Sequence, residues 1–170
     1  MRLHIGGTEV KAGWKILNVQ PGPGVDYIGD CSDLSQIADG SVDEIYASHV
    51  LEHLGYVEKL PHALAEFHRV LKKGGSARIS VPDLDVLCRL FIDPRMGVSE
   101  RILIMRMAFG GQTDPHDFHY VGLAFDILCD LLGTAGFSKI ERAGDFGLFN
   151  DTSLMQISGT RISLNVIAYK

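Results

Sequence analysis

The chain has 170 residues, 46% of them hydrophobic and 22% charged, and a formal net charge of −5. That size and balance suit one globular domain spanning residues 1–170. No Lys/Arg cluster exceeds Lys72-Lys73, so no nucleic-acid backbone and no anionic membrane surface is the expected partner.

In chain order, the first half reads as short strands bounded by Gly, Pro and Asp. They are Arg2–Ile5, Lys15–Val19, Val25–Gly29 (VDYIG) and Glu44–Ala47 within DEIYAS. Seven residues separate Gly7 from Lys15, too few for a helical crossover between parallel strands, which needs roughly 10–12 or more. The link is therefore a hairpin or a parallel unit that has lost its helix.

Val57, Leu60, Leu64, Phe67 and Leu71 recur at three- and four-residue steps and predict a helix with Pro61 in its first turn. Lys72 and Lys73 are placed in its last turn, and Gly74-Gly75 ends it. Ala77–Val81 is a fifth strand. Asp83 caps a helix whose apolar face carries Leu84, Leu87, Cys88 and Phe91. Ser99 is placed as the cap of another, with Ile102, Met105 and Phe109 inward. The polar stretch QTDPHDFHY leads to a helix with Phe125, Leu128, Cys129 and Leu132. Strands at Ser138–Arg142 and Arg161–Tyr169 finish the chain. In the last, Ile162, Leu164, Val166 and Ala168 alternate cleanly.

Cys31, Cys88 and Cys129 form neither a disulfide framework nor a zinc motif. Cys88 and Cys129 are expected to be buried thiols, and Trp14 a core or edge anchor. No apolar run nears the ~18 residues of a membrane span, and the N-terminus has no signal-peptide pattern. A cytoplasmic setting without membrane insertion is expected. The exposed apolar segment Met96–Phe109 suggests a homodimer.

Strands alternating with helices predict a mostly parallel sheet covered on both faces, which binds ligands at the carboxyl ends of its strands. The stretches LHIGG, GVDYIGDCSDL, DGSVDEIYASHVLEHL, FHRVLKKGGSARISVPD and GGQTDPHDFHYVG occupy those ends. In them the chain resembles the class I S-adenosylmethionine (AdoMet)-dependent methyltransferases, closest to a short type 11-like group associated with polysaccharide biosynthesis. The resemblance implies an α/β, Rossmann-like methyltransferase fold. Its sheet has seven mostly parallel strands with an antiparallel last strand, and here the first crossover helix is missing or reduced. It implies AdoMet as cofactor and an unidentified small-molecule or saccharide-linked acceptor.

By the same resemblance, Gly6 and Gly7 lie against the methionine part of AdoMet. Asp30 and Cys31 meet the adenine, and Ser48 and His49 lie beside the sulfonium. Gln20 stands where family members carry an acid for the ribose hydroxyls. If a base is needed, His49 and His119 are the candidates, because imidazole titrates near neutrality. Glu52, His53, Gln112, Asp114 and His116 are placed at the acceptor side. No metal is expected; a hydrolase using His116 and His119 as ligands is the weaker reading of His-x-x-His. The missing helix and Gln20 motivate an alternative from another class: a catalytically inactive methyltransferase-fold protein serving in binding or assembly.

Overall fold

The computed structural model describes residues 1–170. Its main sheet has seven strands in the order β3-β2-β1-β4-β5-β9-β6. They are β1 (Arg2–Ile5), β2 (Trp14–Asn18), β3 (Tyr27–Ile28), β4 (Val42–Ser48), β5 (Leu71–Pro82), β6 (Lys139–Arg142) and β9 (Ser163–Tyr169). A two-stranded hairpin, β7 (Gln156–Ile157) with β8 (Thr160–Arg161), lies apart. Only β9 runs antiparallel to its neighbours in the main sheet.

The opening hairpin alternative fails: β1 and β2 pair in parallel, from Arg2↔Trp14 to Ile5↔Leu17. Helices are absent not from one crossover but from three, at residues 6–13, 19–26 and 29–41. Side-chain bonds hold the first link instead. Asn18 Nδ2 donates to Gly7 O (3.1 Å), Arg2 donates to Ala12 O (3.3 Å), and Lys11 Nζ donates to Leu148 O.

All helices follow β4. Helix α1 (Lys59–Val70) buries Leu60, Ala63, Leu64, Phe67 and Val70, and Pro61 does sit in its first turn. Val57 lies before it, exposed. The helix stops earlier than expected because Leu71 turns to ψ 139°. Lys72-Lys73-Gly74-Gly75 instead forms a bulge in β5, across which the register with β4 jumps from Val42↔Leu71 to Glu44↔Ser76. The positive charge at the helix's carbonyl end comes from Lys170, whose Nζ donates to His68 O (2.6 Å) and Leu71 O (2.8 Å).

Asp83 caps α2 (Leu84–Ile92) by accepting from Asp85 N and Val86 N. Cys88, however, is exposed and Cys129 half-buried. In α3 (Val98–Phe109), capped by Gly97, the expected inward face points out: Ile102, Met105 and Phe109 are 50%, 46% and 60% exposed, while Ile104 is buried. Helix α4 (Phe125–Thr134) buries Leu128 and Leu132.

Period-2 alternation splits the sheet into unlike faces. Leu3, Ile5, Leu17, Ile45, Ala47, Ala77, Ile79 and Val166 join α1 and α4 in the main core. On the other face Trp14 and Tyr46 meet Phe149, with Phe146 and Leu148 packed beside them, and His4 lies among their rings. A loop rather than a helix covers this second face over β1, β2 and β4.

Candidate active site

The carboxyl ends of β1, β2, β3 and β4 converge on one cleft of about 350 Å³. The topology puts it there: β1 and β4 adjoin, while the chain leaves them in different directions. Lining residues include Gly6, Asn18, Gln20, Asp30, Cys31, His49, His53, Lys59, His116 and Tyr120.

Gly6 has φ +71°, and a Cβ there would come within 2.6 Å of Val50 Cγ2. Only glycine fits this turn, which leaves main chain open to the cleft. Gly7 does something else. It is absent from the cleft wall, and its missing side chain makes room for the His4 ring on the opposite face.

At the end of β2, Asn18 donates to Gly7 O and accepts from Gln20 N (3.0 Å). The Gln20 side chain is exposed and makes no hydrogen bond within the protein. After β3, Asp30 accepts from Ser32 N and Oγ through Oδ1 and from Lys59 Nζ (2.7 Å) through Oδ2. Burial pushes its pKa up, but these bonds outweigh it and hold the carboxyl below its ordinary value. Cys31 follows, its thiol pushed up to about 12 chiefly by burial and so inert. Its amide donates to no backbone carbonyl.

Past β4 the parity of the strand separates Ser48 from His49. Ser48 lies on the opposite face and does not line the cleft. His49 does, with the left-handed φ of +53° that is uncommon outside glycine. Its Nε2 lies 3.0 Å from Ser163 Oγ, which itself donates to Thr152 O at 2.8 Å. A serine has one proton to give, so His49 Nε2–H donates to Ser163. Its Nδ1 faces Glu52 Oε1 at 3.2 Å. Both ring nitrogens thus face protein atoms.

The short 3₁₀ turn Leu51–His53 brings Glu52 inward until it is 1% exposed. The chain from 118 to 120 closes over it, with Tyr120 N donating to Glu52 O (2.8 Å). This sets His119 against His53, ring centroids 4.7 Å apart. His119 lies behind His53 rather than in the cleft wall. Burial lowers its pKa, against the opposing pull of Glu52. His116 lines the cleft; Gln112 and Asp114 do not. They serve the turn itself, Asp114 accepting from His116 N (2.8 Å) and Gln112 donating to Phe109 O.

Sequence reasoning missed Asn18, Lys59 and Tyr120. Asn18 was within reach of the strand-end rule, once β2 is ended at residue 18. Lys59 and Tyr120 arrive from distant segments and leave no local signal.

A family model described as a methyltransferase domain matches residues 9–79. No curated protein matches the sequence. The fold is similar to that of a SAM-dependent methyltransferase from Archaeoglobus fulgidus (TM-score 0.62, 15% identity, 99% of this chain and 85% of that one). It is also similar to a SAM-dependent methyltransferase from Thermotoga maritima (0.58, 19%, 99% and 81%). A third likeness is to a Burkholderia thailandensis 1,6-didemethyltoxoflavin-N1-methyltransferase, whose structure holds its substrate and S-adenosylhomocysteine (0.59, 16%, 99% and 70%).

Proposed function

We propose that this chain, which carries the fold of the class I AdoMet-dependent methyltransferases, binds AdoMet in the cleft and methylates a small-molecule acceptor. The observation that carries this is the convergence of Gly6, Gln20, Asp30, Cys31 and His49 on one cleft at the ends of four successive strands. The residues suit the cofactor. Gly6 leaves room where a Cβ would collide, Gln20 has an uncommitted amide for ribose hydroxyls, and the Asp30 carboxylate and Cys31 amide offer an acceptor and a donor to a purine edge.

When bound, AdoMet supplies an electrophilic methyl carbon on a sulfonium. The protein's part is to align an acceptor, exclude water and receive a proton. The acceptor end is the part of the cleft lined by His53, His116 and Tyr120, with Glu52 and His119 behind His53. His53 Nδ1 is held by Phe118 O (3.1 Å) and His119 Nδ1 by Met107 O (3.0 Å), leaving a lone pair on each Nε2. A saccharide-linked hydroxyl fits this polar corner.

Calorimetry with S-adenosylhomocysteine is the direct test. Micromolar binding, weakened by Asp30→Ala, supports the proposal; no heat at about 1 mM ligand overturns it. Transfer of labelled methyl to small hydroxylated and saccharide acceptors then identifies the class.

A further inference from the structure

We propose that Glu52, His53 and His119 bind one divalent first-row transition-metal ion at the wall of the cleft. One ligand atom from each lies within 4.8 Å of the other two. Phe118 O and Met107 O can only accept, so His53 and His119 both carry their proton on Nδ1 and keep the Nε2 lone pair. That is the tautomer a metal takes, with a backbone carbonyl fixing each ring from behind.

Glu52 supplies the third donor and the independent reason for an ion. It is 1% exposed, and neither carboxylate oxygen has a well-aligned hydrogen-bond partner. Oε1 only touches His49 Nδ1, at 3.2 Å, and Oε2 touches no donor at all. A sealed carboxylate without donors is costly by several kcal/mol. A cation between it and two imidazole lone pairs removes that cost. Three donors about 2.1 Å from a common ion lie roughly 3.5 Å from one another, so side-chain shifts of under ~1 Å each close the set.

Two imidazoles and one carboxylate suit zinc, manganese, iron or cobalt better than calcium or magnesium, which prefer oxygen alone. The pair suggested by sequence spacing, His116 with His119, is not the one the fold assembles; His53 takes the place of His116. His53 is shared with the cleft wall, so the open coordination positions of the ion adjoin the cleft, suited to an acceptor oxygen. That role for the ion rests on the methyl-transfer reading; its binding does not.

Titration of the metal-free chain with cobalt(II), read by its visible absorption, and with manganese(II), read by electron paramagnetic resonance, tests the site. One equivalent is expected to bind. Glu52→Gln and His119→Asn should each weaken it at least about tenfold, with folding checked by circular dichroism, while His62→Asn on the exposed side of α1 should not. Absence of binding by the folded wild type at about 1 mM cobalt, manganese or zinc overturns the proposal. Equal binding by the Glu52→Gln/His119→Asn double variant does so too, since the ion is then adventitious only. S-adenosylhomocysteine calorimetry on the same samples separates the two proposals. Ion binding without ligand binding removes the methyl-transfer reading alone, and the reverse removes the metal site alone.

Discussion

His49 Nδ1 stands 3.2 Å from Glu52 Oε1, and the two side chains are 13% and 2% exposed. His49 Nε2–H is given to Ser163, which fixes the ring, and its Nδ1 faces Glu52 without a well-aligned hydrogen bond. His49 is thus the polar side chain that approaches the buried Glu52 carboxylate.

The first prediction follows from that pair. His49→Asn keeps a residue that tolerates the left-handed φ of +53° but removes the imidazole that faces the Glu52 carboxylate. A loss of about 3 kcal/mol in urea unfolding is expected. Glu52→Gln, which removes the charge itself, should lose less than about 1.5 kcal/mol in the absence of metal. A larger loss for Glu52→Gln than for His49→Asn would refute the ordering.

Adjacent glycines should fail differently. Gly6→Ala forces a Cβ against Val50 at a positive φ on the cleft wall, so S-adenosylhomocysteine affinity should fall at least about tenfold. Gly7→Ala drives a Cβ to within 2.4 Å of the His4 ring. It should lower stability by about 1–3 kcal/mol while changing affinity less than Gly6→Ala does. Paired thermal melts and calorimetry read both.

The two side-chain amides at the end of β2, Asn18 and Gln20, are also distinguishable. Gln20→Glu adds a charge where no protein bond is lost, and S-adenosylhomocysteine should bind a few-fold tighter, because charged acceptors strengthen hydrogen bonds to hydroxyls. Asn18→Asp removes the donor to Gly7 O and should loosen the first link, lowering the melting temperature. If Asn18→Asp instead tightens binding without loss of stability, the ribose-facing assignment belongs to residue 18.

A pH dependence of stability is expected from His4. Burial pulls its pKa from 6.5 to about 4, against the raising effects of Asp151 and Glu9. Between those values the unfolded chain holds the extra proton. The His4 contribution is therefore complete above pH 6.5 and is lost as the pH falls towards 4, on the order of 3 kcal/mol in all. Its Nδ1 has no hydrogen-bond partner, so His4→Phe sacrifices no bond there. Denaturant midpoints that fall as steeply with acid in His4→Phe as in the wild type would assign the effect elsewhere.

Much of the sheet was legible because alternation is a strong signal when one face is buried. Ile162, Leu164, Val166 and Ala168 are all buried as their pattern predicts, and Asp83 caps the helix it precedes. The helix α3 was misread because apolar residues lie all around it, leaving its periodicity without a direction. Leu71 was misread because a helix stripe and the first residue of a buried strand look alike in sequence. Among site residues, Gly6, Gln20, Asp30, Cys31 and His49 stand at strand ends, where topology dictates a cleft. The parity of β4 would have set Ser48 aside. The burial of Glu52 and the meeting of His53 with His119 depend on a return of the chain some sixty-five residues later, which no local pattern encodes.

The crossovers without helices have a consequence for motion. Strand β3 is an edge strand joined to β2 by two register pairs, Leu17↔Tyr27 and Asn18↔Ile28, with no helix across residues 19–26 or 29–41 to hold it down. Its amides should exchange with solvent by local opening, at a free energy well below that of unfolding the sheet centre. Gln20 and Asp30 flank that edge, so a ligand spanning them would close the opening and slow the exchange there first. In this chain a bound ligand would do for the rim of the sheet what helices do elsewhere.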